Sequence, residues 1–284
     1  MSAAGQDTAP LAIAESGPAG VDFWRELRQS LRNPEFWALS SWLDILVRAR
    51  RSRFGILWLM APSVVYVFGL GSFFAAMQRQ QLTVFAAHVA LGAIVFRILM
   101  STLTGSANVF ASSHAFIMDG HMRFTDYLLQ SLARSFFDVC MYVPVVVVAL
   151  LMYARVADLQ PQALLLAPLL LLVVYVNALW VSVVFALVGA RFSDFGQLLN
   201  NISIFMFLLT PIIWYPEMMP ADSVRGMFMR FNPFYHFVQL FRAPLLGQPI
   251  ETLTWWYVGS MTVLGLAVAT FAYRRYARFV PLWI

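Results

Sequence analysis

The chain has 284 residues, of which 61% are hydrophobic and 12% charged, with a formal net charge of +5 and a mean hydropathy of +0.72. Soluble domains carry about 25% charged residues, so a water-soluble fold is excluded, and the positive balance concerns membrane orientation rather than a nucleic-acid partner, which is not expected. All nineteen basic residues are arginine, which removes the lysine of a P-loop or a Schiff base, and the single cysteine, Cys140, excludes an internal disulfide and a cysteine metal cluster.

Residues 1–20 are small, polar and proline- or glycine-bearing, without the basic start and apolar core of a signal peptide. The segment 1–33 reads as a disordered or loosely ordered cytoplasmic tail, and 34–284 as one transmembrane domain. Residues 34–50 predict an amphipathic helix at the membrane surface, with Pro34 in its first turn and Phe36, Trp37, Leu43, Leu46 and Val47 as its apolar side. Arg48, Arg50, Arg51 and Arg53 then abut the uncharged run from Phe54 to Met77, the pattern of a helix entering a membrane from the cytoplasm.

Six apolar spans follow, at 54–77, 82–110, 132–153, 163–190, 195–214 and 253–271, each long enough to cross a hydrocarbon layer of about 30 Å. The even number places both termini on one side. Thirteen arginines then fall on that side, against Arg79, Arg155, Arg225, Arg230 and Arg242 on the other, which makes the terminal side cytoplasmic. Pro211, Pro216 and Pro220 interrupt the end of the fifth span, and Asn232-Pro233 and Ala243-Pro244 punctuate two short apolar pieces. The segment 217–247 therefore reads as a pair of re-entrant or surface helices on the external face. The fold class is all-α and integral to the membrane: six transmembrane helices, an N-terminal amphipathic interface helix, and external short helices before the last span.

Several segments stand in the order of a known family. They are Arg-Ser-Arg-Phe-Gly-Ile-Leu-Trp at 51–58, Ala-Phe-Ile at 115–117, Arg-Phe-Ser-Asp-Phe-Gly-Gln at 191–197, Leu-Thr-Pro-Ile-Ile-Trp-Tyr-Pro at 209–216, Asn-Pro-Phe-Tyr-His at 232–236 and Phe-Arg-Ala-Pro-Leu-Leu-Gly-Gln at 241–248. Over residues 40–284 the chain resembles the permease subunits of ABC type-2 exporters, in the branch that moves O-antigen and related bacterial polysaccharides. The resemblance implies a homodimer in the bacterial inner membrane, docked on two copies of a separate ATPase that holds ATP and magnesium. The dimer would export a lipid-linked polysaccharide, as in lipopolysaccharide biosynthesis, and this chain would carry no catalytic site or cofactor of its own. Capsule polysaccharide, a teichoic-acid-like polymer and O-antigen all fit.

Arg48, Arg50, Arg51 and Arg53 lie at headgroup level, where guanidinium forks either grip the phosphates of a lipid carrier or serve topology and bulk anionic lipid. Arg97 sits inside the second span, at a depth that requires water, a polar path or an acid. The acid in reach is Asp138, although counting rise from the expected span ends sets the two about 10 Å apart in depth. Tyr66 belongs with Trp58, Pro62, Gly69 and Phe73 to a stripe down the first span that suits sugar C–H faces or ordinary packing. Gln197, Asn200 and Asn201 share a face of the fifth span and, with Asn177 of the fourth, must meet a helix or a path. Asp119, His121, Arg123 and Asp126 lie in the polar connection 111–126, the expected coupling element against an ATPase. His114 and Asp119 have the His-x4-Asp spacing of some acyltransferases, which keeps a membrane-embedded transferase acting on a lipid-linked glycan as the alternative.

Overall fold

The computed structural model describes residues 22–50, 53–78, 82–120, 122–153 and 160–284, and these are helical with no strand among them. An apolar segment surrounded by hydrocarbon satisfies its backbone within itself only as a helix, and this governs the long elements. Helices α1 (Phe23–Arg32) and α2 (Glu35–Arg50) precede a first span built from α3 (Ile56–Val64), a π-helical turn (Val65–Leu70) and α4 (Gly71–Met77). The chain continues through α5 (Leu82–Ser106), the short α6 (Val109–Ser112) and α7 (His114–Met118), then α8 (Phe124–Tyr153), α9 (Pro161–Arg191) and α10 (Phe195–Leu209). After a 3-10 turn (Pro216–Met218) come α11 (Val224–Phe231), α12 (Pro233–Leu245), α13 (Thr252–Tyr276), a second 3-10 turn (Ala277–Phe279) and α14 (Val280–Trp283).

Five stretches are long and apolar enough to cross a membrane: Leu57–Met77, Phe85–Ser106, Phe124–Met152, Gln162–Arg191 and Thr252–Trp283. The expected fifth span, 195–214, is instead the shorter apolar helix α10, 15 residues long. It stops because Pro211 pushes Thr210 out of helical geometry, to ψ 128°, and the Thr210 hydroxyl turns back to donate to the Met206 carbonyl at 2.6 Å. The two short helices expected before the last span are α11 and α12, each capped by its own preceding side chain, Ser223 and Asn232.

Helix α5 is the centre of the bundle: 78% of its span is buried, against 17–39% for the other four. Its small residues Ala86, Ala90, Gly92 and Ala93 let neighbours approach closely. Helices α8, α9 and α12 pack around it. At the end of the molecule where α13 finishes, α1 lies across α8 and α13. Phe23, Leu27 and Ser30 face inward at steps of four and three, Tyr273 donates to Glu26 at 2.6 Å, and Arg274 pairs with Asp22 at 3.0 Å. Residues 23–32, expected to belong to a loose tail, are therefore a packed helix; the rest of that expectation, residues 1–21, lies outside the described residues.

Burial pushes the Glu26 carboxyl above its ordinary 4.5, and the Tyr273 hydroxyl and the Arg123 cation only partly offset this. The folded chain holds that proton more tightly than the unfolded chain, so this contribution is complete below the ordinary glutamate range and is lost as pH rises through the raised value. Glu26→Gln keeps an acceptor for Tyr273 and should flatten the fall of unfolding temperature with rising pH above 4.5. An unchanged slope in detergent would assign the pH dependence to another group.

Helix α2 does not stand apart from the bundle. Ser41 donates to the Gln130 carbonyl, Arg134 bonds Asp44, and Arg48 pairs with Asp138, at sequence separations of 89, 90 and 90. A constant separation means that α2 and the first half of α8 run parallel, side by side. The side of α2 turned away from α8 carries Leu39, Leu43 and Val47, all exposed, as an amphipathic helix at a membrane requires, and Trp42 at its flank meets Phe137 of α8 at 5.7 Å.

Candidate functional site

The first half of α8 also runs antiparallel to the end of α5, where Ser101 and Ser135 hydroxyls meet at 2.6 Å and the Arg97 guanidinium stands 5.6 Å from the centre of the Tyr142 ring. Between these helices, the first span and α10 lies a crevice of about 530 Å³ lined by Tyr66, Arg97, Ser101, Thr104, Ser135, Asp138, Asn200 and Ser203 among apolar neighbours. Arg97 and Asp138 thus stand at one level, which corrects the depths expected from the sequence. Counted from the Ser101–Ser135 contact, Arg97 lies four residues along α5 and Asp138 three residues along α8 in the same direction, about 6 and 4.5 Å; α8 begins at Phe124 rather than near 132, and α5 ends at Ser106 rather than 110.

Arg97 and Asp138 are nevertheless not an ion pair. The carboxylate receives Arg48 of α2 at 3.4 Å, so one member of the expected carrier-phosphate cluster is engaged inside the protein. Arg50 and Arg53 are exposed, and Arg51 lies outside the described residues. Arg97 has no carboxylate within ion-pair distance among the described residues.

Of the residues read as a path, Tyr66, Arg97 and Asn200 come together in the crevice. Trp58 and Phe73 do not: they are exposed on the outer side of the first span, at 60% and 62%. For Phe73 the π turn at Val65–Leu70 is the reason, since its wider turn rotates the helix phase after Tyr66 and breaks a stripe that assumed an unbroken 3.6-residue period. Gln197 and Asn201 are exposed on α10. Asn177 is a packing residue that donates to Thr262 of α13 at 2.8 Å and accepts from Trp180 at 2.9 Å.

The connection expected to couple to a partner splits by burial. Asp119 is exposed at the end of α7, Arg123 is half-buried, and His121 lies outside the described residues. Asp126 is only 3% exposed and accepts from the Arg123 backbone N–H at 3.1 Å, so it closes the first turn of α8 rather than facing outward. What the connection does present is apolar: Phe116, Met118 and Met122 are exposed, with Phe192 of the α9–α10 corner. His114 and Asp119 are both exposed at opposite ends of α7 and share no hydrogen bond, so no base-acid pair forms there.

One polar cluster was misplaced by the sequence reading. Arg242, assigned outside by topology, is fully buried in α12. It donates to the Pro211 carbonyl at 2.7 Å, to Gln239 at 3.0 Å and to His88 Nε2 at 2.9 Å. A guanidinium only donates, so Nε2 accepts in that contact, and the same nitrogen stands 3.1 Å from the Trp214 carbonyl. The cluster fastens α12 and the 210–214 turn to α5, and Gly92 leaves the room, since a Cβ there would stand 3.2 Å from the guanidinium. The available signal was His88 itself, a polar ring in an apolar span that needed a partner.

The sequence model of one family, described as ABC-2 type transporter, matches residues 21–246. No curated protein matches the chain.

Proposed function

Because the chain belongs to the ABC-2 type transporter family, we propose that it is the membrane subunit of an ATP-driven exporter carrying a lipid-linked polysaccharide, of the O-antigen type, out across a bacterial inner membrane. Its membership makes it a multi-pass transporter permease, and a family permease works with an ATPase partner. The proposal adds the direction, the cargo and the assembly.

The observation that carries it is the polar crevice in an otherwise apolar bundle, continued on the outside by Gln197, Asn200 and Asn201 of α10. Exposed amides on a helix at membrane depth require another helix or water. A second copy facing α10 and the first span, with its exposed Trp58 and Phe73, would enclose them in a path of amides, hydroxyls and aromatic rings. Such a lining suits sugars, whose C–H faces slide over rings and whose hydroxyls exchange hydrogen bonds. Arg50 and Arg53, both exposed, face headgroup phosphates at the mouth.

The arginine bias supports cytoplasmic termini, and so places α7 with Asp119, His121 and Arg123 on the cytoplasmic side. Two ATPase copies dock there, bind ATP and magnesium, and supply the energy that a chain without lysine has no P-loop to harvest. Cells deprived of this chain, fed labelled sugar, should accumulate lipid-linked polymer accessible only from the cytoplasmic side of inverted membrane vesicles. Normal surface polymer in such cells would overturn the reading.

A further inference from the structure

The crevice holds more donors than its own acceptors use. Its two charged groups are Arg97 and Asp138, and the carboxylate is already met by Arg48 at 3.4 Å, which leaves a net charge of one cation. The Arg97 guanidinium, with five N–H groups, has no hydrogen-bond partner among the described residues, and it stands 5.6 Å from the centre of the Tyr142 ring. The hydroxyls of Tyr66, in the crevice wall, and of Tyr142, fully buried beneath Arg97, are likewise without partners. The remaining hydroxyls are committed: Ser101 with Ser135, Thr104 to the Met100 carbonyl, Ser203 to the Asn200 carbonyl.

Buried donors left unmatched are costly, so the ligand that fits is anionic and presents several acceptor oxygens to a planar fork. Depth narrows this further. Arg97 stands level with the Arg48–Asp138 pair and about one turn inward of Arg134 and Asp44, another exposed charge pair. Paired charges at one level mark the edge of the apolar layer, where lipid phosphates sit. The rim includes Ile204, 63% exposed, so the crevice is reached from the side rather than from the bundle axis.

We propose that this crevice binds the phosphate ester of a membrane lipid, with Arg97 as the phosphate fork and the Tyr66 hydroxyl as a further donor. Phosphate recognition then reaches one helix layer inside the Arg48–Arg53 cluster, and the Arg48–Asp138 pair keeps the carboxylate from repelling the anion. Only the identity of the lipid as a cargo carrier rests on the exporter reading; the site itself does not.

The test uses the full chain in detergent, offered phosphatidylglycerol, a polyprenyl phosphate, or the matching polyprenol, with retained lipid measured by native mass spectrometry. The wild type should retain the two phosphate-bearing lipids and not the polyprenol. Arg97→Gln should weaken that retention about tenfold, the scale of a lost charged hydrogen bond. Tyr66→Phe keeps the shape of the wall and should also reduce retention, which preserves the test if the glutamine variant fails to accumulate. Undiminished retention by these variants, or equal retention of the polyprenol, would overturn the proposal. A preference for polyprenyl phosphate over phosphatidylglycerol identifies the carrier, and equal retention identifies bilayer lipid; both support the site. Failure of glycan movement by the complete complex would sink the exporter reading while leaving lipid retention intact.

Discussion

Replacing Gly189 with alanine is expected to remove most of the folded protein from the membrane. A Cβ at Gly189 would stand 1.9 Å from the Ala107 carbonyl oxygen and 2.8 Å from its Cα, so the obstacle is backbone and not a side chain that can swing away. Overpacking in a tight core costs roughly 1–3 kcal/mol and more where backbone must shift, against a total stability of about 5–15 kcal/mol. The strain also falls where α9 holds the corner between α5 and α6, which positions α7. Gly259 is the control: nothing lies within 4 Å of its Cβ position in the middle of α13, and alanine is the better helix former. Gly259→Ala should accumulate and melt like the wild type. Equal accumulation of Gly189→Ala would show that α9 and the 107–108 corner are not in the contact described here.

The largest functional loss is expected from Phe116→Asp combined with Met118→Asp. These side chains are 60% and 58% exposed on α7, so little packing is lost, and the variant should insert at the normal level with an unchanged melting temperature. Carboxylates in an apolar contact are left desolvated and unpaired, which costs a protein interface several kcal/mol, a change of about 100-fold or more in affinity. ATP hydrolysis stimulated by the permease should therefore disappear, together with copurification of the ATPase. Phe116→Leu with Met118→Leu retains the apolar surface and should retain coupling. Undiminished stimulation in the aspartate variant would move the docking surface away from α7.

The helices were legible because a lipid environment leaves an apolar segment few alternatives, and proline and arginine punctuate their ends. The inward spacing of Phe23, Leu27 and Ser30 marks α1, which the reading of 1–33 as a tail passed over. Depth was the weak inference. Counting rise along two helices compares levels only if their ends are known, and the start of α8 is disguised by Thr125, Asp126, Gln130 and Arg134, polar residues that read as loop. That error separated Arg97 from Asp138, while the true partner of Asp138 lay in a different helix, α2, whose parallel course no local pattern announces. The π turn similarly defeats a stripe drawn through it at a fixed period, which is why Tyr66 reaches the crevice while Phe73 does not. Arg242 was assigned by topology, since an arginine in a segment between spans normally faces water; its burial became visible only once His88, Gly92 and the Pro211 carbonyl met around it.

The central claim is that this chain moves a lipid-linked glycan with energy it does not itself harvest. The direct measurement reconstitutes it in proteoliposomes, with and without its ATPase partner, and follows both ATP hydrolysis and the transfer of a labelled lipid-linked glycan between leaflets. Transfer that requires ATP, the partner and this chain together, with no hydrolysis by the chain alone, is the predicted result. Hydrolysis by the chain alone that mutation of its own residues abolishes, or transfer that proceeds without the partner, would contradict it.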